Sequence, residues 1–174
     1  LDVLRSVLAL RDGDKLQHVV ADFVRTDFTQ PPLIAWALMR TDLYARLPPR
    51  ELREIFQILA AFNAWLNRHR RLECGLYFWA HPYESGVENS PRFSSRDEKK
   101  FVDTRHLAAP DFSAYVVLQC EALVRLAEVL GDYDQCSTFQ RQARTIKCNM
   151  EQLLWSEEDG LYYDWDVREQ RHIR

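Results

Sequence analysis

The sequence predicts an all-α fold made of helical hairpins, and three observations carry that prediction. Apolar residues recur at helical spacing along most of the chain, prolines stand where helices should start, and a unit of helix, helix and aromatic hairpin occurs twice. A unit of this kind cannot bury its faces alone and is stable only against its neighbours.

Taken in order, Leu16, Val19, Val20 and Phe23 form a first apolar stripe and predict a helix. Ile34, Ala37 and Leu38 follow Pro31 and Pro32, which suits a helix start. The run from Arg46 to Arg50 carries Pro48 and Pro49 and reads as a break followed by a new helix, whose stripe is Leu52, Ile55, Leu59, Phe62 and Leu66. The basic run Arg68, His69, Arg70 and Arg71 falls near the end of that helix, where cations favour the dipole. Tyr115, Leu118, Ala122, Leu126 and Val129 predict a helix from about Asp111 to Gly131, and Phe139, Ala143, Ile146, Met150 and Leu153 predict the next.

The repeat joins these elements. Each unit opens at a proline, runs through two helices and ends in an aromatic hairpin, GLYFW at 75–79 and GLYYDW at 160–165. An open solenoid and a closed toroid of helical hairpins both fit that pattern. Solenoids, however, join their helices by short turns. Here residues 72–109 make a long aromatic excursion without helical periodicity, of which 94–106 is polar and reads as a solvated loop.

Composition narrows the function. The chain has 174 residues, 47% of them apolar, and a net charge of -3 with both signs interspersed, so no phosphate-tracking surface is expected and nucleic acid is excluded as a partner. Cys74, Cys120, Cys136 and Cys148 lack the spacing of a zinc site; Cys120 and Cys148 fall in predicted helices and read as buried thiols, which favours a reducing compartment such as the cytoplasm. No apolar run reaches the ~20 residues of a membrane span, and neither a cofactor nor a metal is expected.

The segment 75–92 concentrates what sugar chemistry uses. Trp79 and Tyr83 offer rings for apolar sugar faces, Glu84 and Glu88 offer carboxyls for hydroxyls or for proton transfer, and Gly86 allows a sharp turn between them. A solvated loop beside a core edge is the plainer reading of the same residues.

Four motifs in order decide in favour of the first reading. TQPP at 29–32, HPYESGVENSPR at 81–92, PDFSAY at 110–115 and LWSEEDGLYYDWD at 154–166 resemble the SQPP, ESGxDNSPR, DLNA and LWxxxxGxYxDYD segments of a group of inverting glycosidases. That group comprises the trehalases (family 37) and the glycoside hydrolase family 63 glucosidases and mannosylglycerate hydrolases, and the chain resembles family 63 more closely. The resemblance implies an (α/α)6 toroid, present as a partial catalytic-type domain over 1–174 with five to six helices and short aromatic hairpins. It implies an inverting hydrolase of α-glucosides or α-mannosides, binding an oligosaccharide or small glycoside, with the rest of the toroid supplied by the same longer chain.

By position in those motifs, Glu88 matches the catalytic acid, an aspartate in the family. Arg92 matches the arginine at the cleavage subsite, with a salt bridge holding the loop as its other role. Trp79, Tyr83, Glu84, Asn89, Gln30 and Asp111 are implied as sugar contacts, with helix entry or capping the alternative for Gln30 and Asp111 and a core position the alternative for Trp79 and Tyr83. The general base is expected outside this chain. Asp164 and Asp166 read as structural, and His81 as a hydrogen-bonded structural group. A sugar-binding relic without turnover and a helical-repeat interaction module are the alternatives; the latter requires that Trp79, Tyr83 and Arg92 fail to meet.

Overall fold

The computed structural model describes residues 1–21, 24–94 and 102–174. Among the described residues five α-helices carry the fold: α1 (Asp2–Ala9), α2 (Ile34–Arg40), α3 (Pro49–His69), α4 (Pro110–Leu130) and α5 (Tyr133–Leu153). They form part of an (α/α) toroid. Helix α4 is central and packs against α2, α3 and α5.

The predicted stripes of α3 and α5 are the faces those helices bury: Leu52, Ile55, Leu59, Phe62 and Leu66 in α3, and Phe139, Ala143 and Ile146 in α5. Pro49 and Pro110 stand in the first turns of α3 and α4, where a missing N–H costs nothing. Gly131 ends α4 with φ +73, the left-handed cap that glycine adopts freely. Of the predicted stripe of α4, Ala122 and Leu126 are buried and Val129 is exposed, and a second stripe of Phe112, Val116, Cys120, Leu123 and Ala127 is buried beside it. A helix flanked by three others buries more than one stripe.

The helix expected over Leu16, Val19, Val20 and Phe23 is absent. Val20–Ala21 (β1) instead pairs antiparallel with Val24–Arg25 (β2), and Gln17 bridges Thr29. Neighbouring β-branched Val19 and Val20 favour this extended form, and tertiary pairing overrides the helical spacing. Phe23 lies outside the described residues.

Both repeat hairpins exist. In the first, Arg71 bridges Tyr77 about Gly75 (φ +84); in the second, β4 (Trp155–Ser156) pairs with β5 (Leu161–Tyr162) about Gly160 (φ +64). A three-stranded sheet was not foreseen: β3 (Leu107–Ala108) pairs with β6 (Asp164–Asp166), which pairs with β7 (Arg171–Ile173). It binds the end of the long loop to the second hairpin. Of the loop expected to be solvated, 95–101 lie outside the described residues, and Thr104 is buried, donating from Oγ1 to the Trp79 carbonyl at 2.8 Å.

One apolar cluster runs from Leu8 to Leu154. Inside it, side-chain amides of three helices meet. Asn63 Nδ2 donates to Gln142 Oε1 (2.9 Å), Gln142 Nε2 donates to Asn67 Oδ1 (3.0 Å) and the Tyr77 hydroxyl (3.1 Å), and Gln119 Nε2 donates to Asn63 Oδ1 (3.3 Å). The four cysteines are free; Cys148 is exposed, against expectation, because it faces outward on α5. Among the described residues no helix is long and apolar enough to cross a membrane.

Candidate functional site

The loop after α3 is anchored by a buried ion pair. Glu84 ends a 3-10 turn (Pro82–Glu84) with no exposed surface. Its carboxylate accepts from Arg70 Nη2 (2.7 Å) and Nε (3.1 Å), from Ala80 N (3.0 Å) and from Thr29 N (3.1 Å). Two expectations are corrected here. Glu84 does not face a ligand, because four protein donors occupy its oxygens. Nor is the basic run merely a dipole partner, because Arg70 is the fork of this pair and also lies over the Trp65 ring at 4.8 Å.

Beyond the anchor Gly86 takes φ +71, a conformation most side chains avoid, and the chain turns outward. Glu88 and Asn89 follow, both exposed. Tyr83 also faces outward, 45% exposed, edge-on to Phe28 (6.0 Å) and His81 (4.8 Å). Phe28 and His81 are stacked at 4.0 Å, so that three rings of the described residues meet here. Phe28 was not singled out in the sequence, although it stands next to TQPP. Partial burial holds the His81 imidazole below its ordinary range, and nearby Glu84 pulls it back up in part.

Trp79 is corrected from pocket wall to core. It is 1% exposed, stacks on Phe112 at 4.0 Å, and donates its indole N–H to Asp111 Oδ1 at 3.1 Å. Gln30 is spent nearby on the N-terminal hairpin, donating from Nε2 to the Gln17 carbonyl at 2.7 Å.

A second centre forms where α4 begins. Asp111 Oδ1 accepts from Arg92 Nη1 (2.8 Å), Trp79 Nε1 (3.1 Å) and Phe112 N (2.9 Å). Arg92 is held on its other edge by Asp164 of β6, Nε to Oδ2 at 3.2 Å. Trp79 and Arg92 therefore meet on Asp111, while Tyr83 belongs to the separate ring patch.

Asp164 is the functional candidate the sequence reading passed over. Burial pushes its carboxyl up to about 6; the Arg92 charge opposes this and Asp111 adds to it. Among the described residues its Oδ1 is buried without a hydrogen-bond partner. The signal was in the repeat: Trp79 stands four residues after Gly75 and Asp164 four after Gly160, and both converge on the Asp111–Arg92 pair. Asp166, by contrast, accepts from Arg168 N (2.8 Å) and Glu169 N (3.1 Å) in a turn, as a structural aspartate does. Among the described residues no group of three His, Cys, Asp or Glu side chains could hold a metal ion.

Comparison with known proteins adds the following. A family model described as the mannosylglycerate hydrolase MGH1-like glycoside hydrolase domain matches residues 10–174. A trehalase of Tenebrio molitor is 27% identical over 100 residues, covering 52% of this chain and 18% of that protein. An uncharacterized conserved protein from Thermus thermophilus superposes with a TM-score of 0.78 at 21% identity, over 98% of this chain and 55% of that one. The GH63 mannosylglycerate hydrolase of the same organism, solved with Tris and D-glycerate, gives 0.76 at 19% identity, over 98% and 57%. At these identities the solved structures show a shared fold, and the chain spans little more than half their length.

Proposed function

The chain belongs to the mannosylglycerate hydrolase MGH1-like glycoside hydrolase family, and we propose that the full-length protein hydrolyses an α-linked glucoside or mannoside with inversion. The observation that carries this reading is the family match over residues 10–174, which includes the HPYESGVENSPR segment.

Inverting hydrolysis needs one carboxylic acid to protonate the leaving oxygen. It also needs a second carboxylate, roughly 6.5–9.5 Å away, to activate water on the opposite sugar face. Glu88 is the candidate acid. Its exposure after the Gly86 turn suits a donor that reaches out to a glycosidic oxygen. Arg92, held by two carboxylates, suits vicinal hydroxyls or a substrate carboxylate. Tyr83, with Phe28 and His81 behind it, suits an apolar sugar face. The base belongs to the remainder of the toroid.

Glu88 is one methylene longer than the family aspartate, and a shift of ~1 Å in a proton donor can cost about a hundredfold in rate. That difference supports a second reading, a sugar-binding protein that no longer turns over. Replacing Glu88 with Gln in the full-length protein decides between them. The enzyme reading expects mannosylglycerate hydrolysis to fall by about 10²–10⁴ while glucose affinity, measured by calorimetry, stays within a few-fold. Undiminished turnover in Glu88→Gln would remove Glu88 as the acid. Saturable glucose binding with no hydrolysis by the unaltered protein would favour the binding reading.

A further inference from the structure

We propose that Asp164 is a positioning residue for sugar binding: from β6 it holds the Nε edge of Arg92 while Asp111 holds Nη1, so that the guanidinium presents its remaining edge to substrate. The inference rests on the glycosidase reading for the identity of the ligand, and on geometry for the rest.

Three observations carry it. The Asp164 side chain is 6% exposed and that of Arg92 is 21% exposed, so one end of the pair is sealed and the other reaches the surface. Neither carboxylate contact uses Nη2. And the pair is not arranged for stability alone, because Asp164 Oδ1 is buried with no hydrogen-bond partner among the described residues, and buried ion pairs can often be replaced by apolar residues at no cost in stability. Asp111 cannot replace Asp164, since its Oδ1 already takes three donors and leaves the Nε edge unheld.

Among the described residues the charged groups acting on Asp164 are Arg92 from the loop and Asp111 from α4. Opposite it on β7 stands Ile173, and His106 of the adjoining segment faces Asp166 at 3.6 Å instead. With its carboxyl near 6, Asp164 is ionised at neutral pH and grips Arg92; it takes up a proton as pH falls through 6 and releases that edge. Sugar affinity therefore weakens on acidification.

The test uses the full-length protein, mannosylglycerate as substrate, and the variants Asp164→Asn and Asp164→Glu. We expect Asp164→Asn to raise KM about tenfold with kcat changed less than threefold, the scale of one lost, partly buried ion-pair contact. We expect it also to erase the rise of KM below pH 6, and Asp164→Glu to restore part of both. An unaltered KM and pH profile in folded Asp164→Asn overturns the proposal. A parallel measurement separates this from failure of the glycosidase reading: the 15Nε resonance of Arg92, assigned by its loss in Arg92→Lys. If the unaltered protein shows no turnover but this resonance titrates near pH 6 and stops doing so in Asp164→Asn, the substrate reading fails and the positioning role stands. A resonance indifferent to Asp164→Asn overturns the role itself.

Discussion

Glu84 and Glu88 lie four residues apart and have opposite surroundings, one sealed against Arg70 and two backbone amides, the other exposed. Exposure decides what each carboxylate contributes. Removing the charge of Glu84 leaves Arg70, itself only 13% exposed, without its counter-ion and two backbone donors without their full acceptor. Breaking a buried pair in this way costs about 3–5 kcal/mol, so Glu84→Gln should lower the urea midpoint by an amount worth roughly 3 kcal/mol. Glu54, paired with Arg50 on the surface of α3 at 3.0 Å, is the control. Its replacement should change stability by no more than about 0.5 kcal/mol. Equal effects at both sites would mean that the Glu84 pair is not the anchor described. The sequence shows the two glutamates alike; the contrast needs Thr29 and Arg70, which are distant in the chain and invisible to local pattern.

At the scale of elements, the two hairpins share a sequence and differ in their neighbours. A Cβ on Gly75 would lie 2.6 Å from Nδ2 of Asn149 in α5, whereas one on Gly160 would meet nothing within 4 Å. Asn149 Nδ2 also donates to the Cys74 carbonyl at 2.9 Å, so the tip of the first hairpin is seated on α5. Gly160→Ala should cost about 1 kcal/mol, the strain of a left-handed backbone. Gly75→Ala should cost about 2 kcal/mol or more, and the excess should shrink when Asn149 is also replaced by Ala. Equal costs for the two glycines would refute the seating. The repeat, α3 and α5 were legible because their periodicity is strong and their boundaries carry Pro and Gly. The N-terminal hairpin and the β3–β6–β7 sheet were not, because two- and three-residue strands have no period to read and their pairing spans up to sixty residues.

For the whole molecule, a single apolar cluster from Leu8 to Leu154 predicts one cooperative transition. Trp79, inside the cluster, and Trp165, packed against it, come from the first and second units and report on both. Tryptophan fluorescence and far-ultraviolet circular dichroism should therefore give coincident urea curves, and a gap between them would mean that the units unfold separately. The candidate site drew on both units, with Trp79 and Arg92 from the first and Asp111 and Asp164 from the second, which explains why the motif 81–92 alone disclosed only part of it. The amide chain of Asn63, Asn67, Gln119, Gln142 and Tyr77 has a mechanical consequence as well. Sliding α3 past α5 by one turn, about 5.4 Å, would break both Gln142 links to Asn63 and Asn67, and sliding it past α4 would break the Gln119–Asn63 link, whereas apolar faces alone would slip with little resistance. The amide chain thus ties α3 to both neighbouring helices, and the stretch after Glu84 turns outward from a fixed pivot.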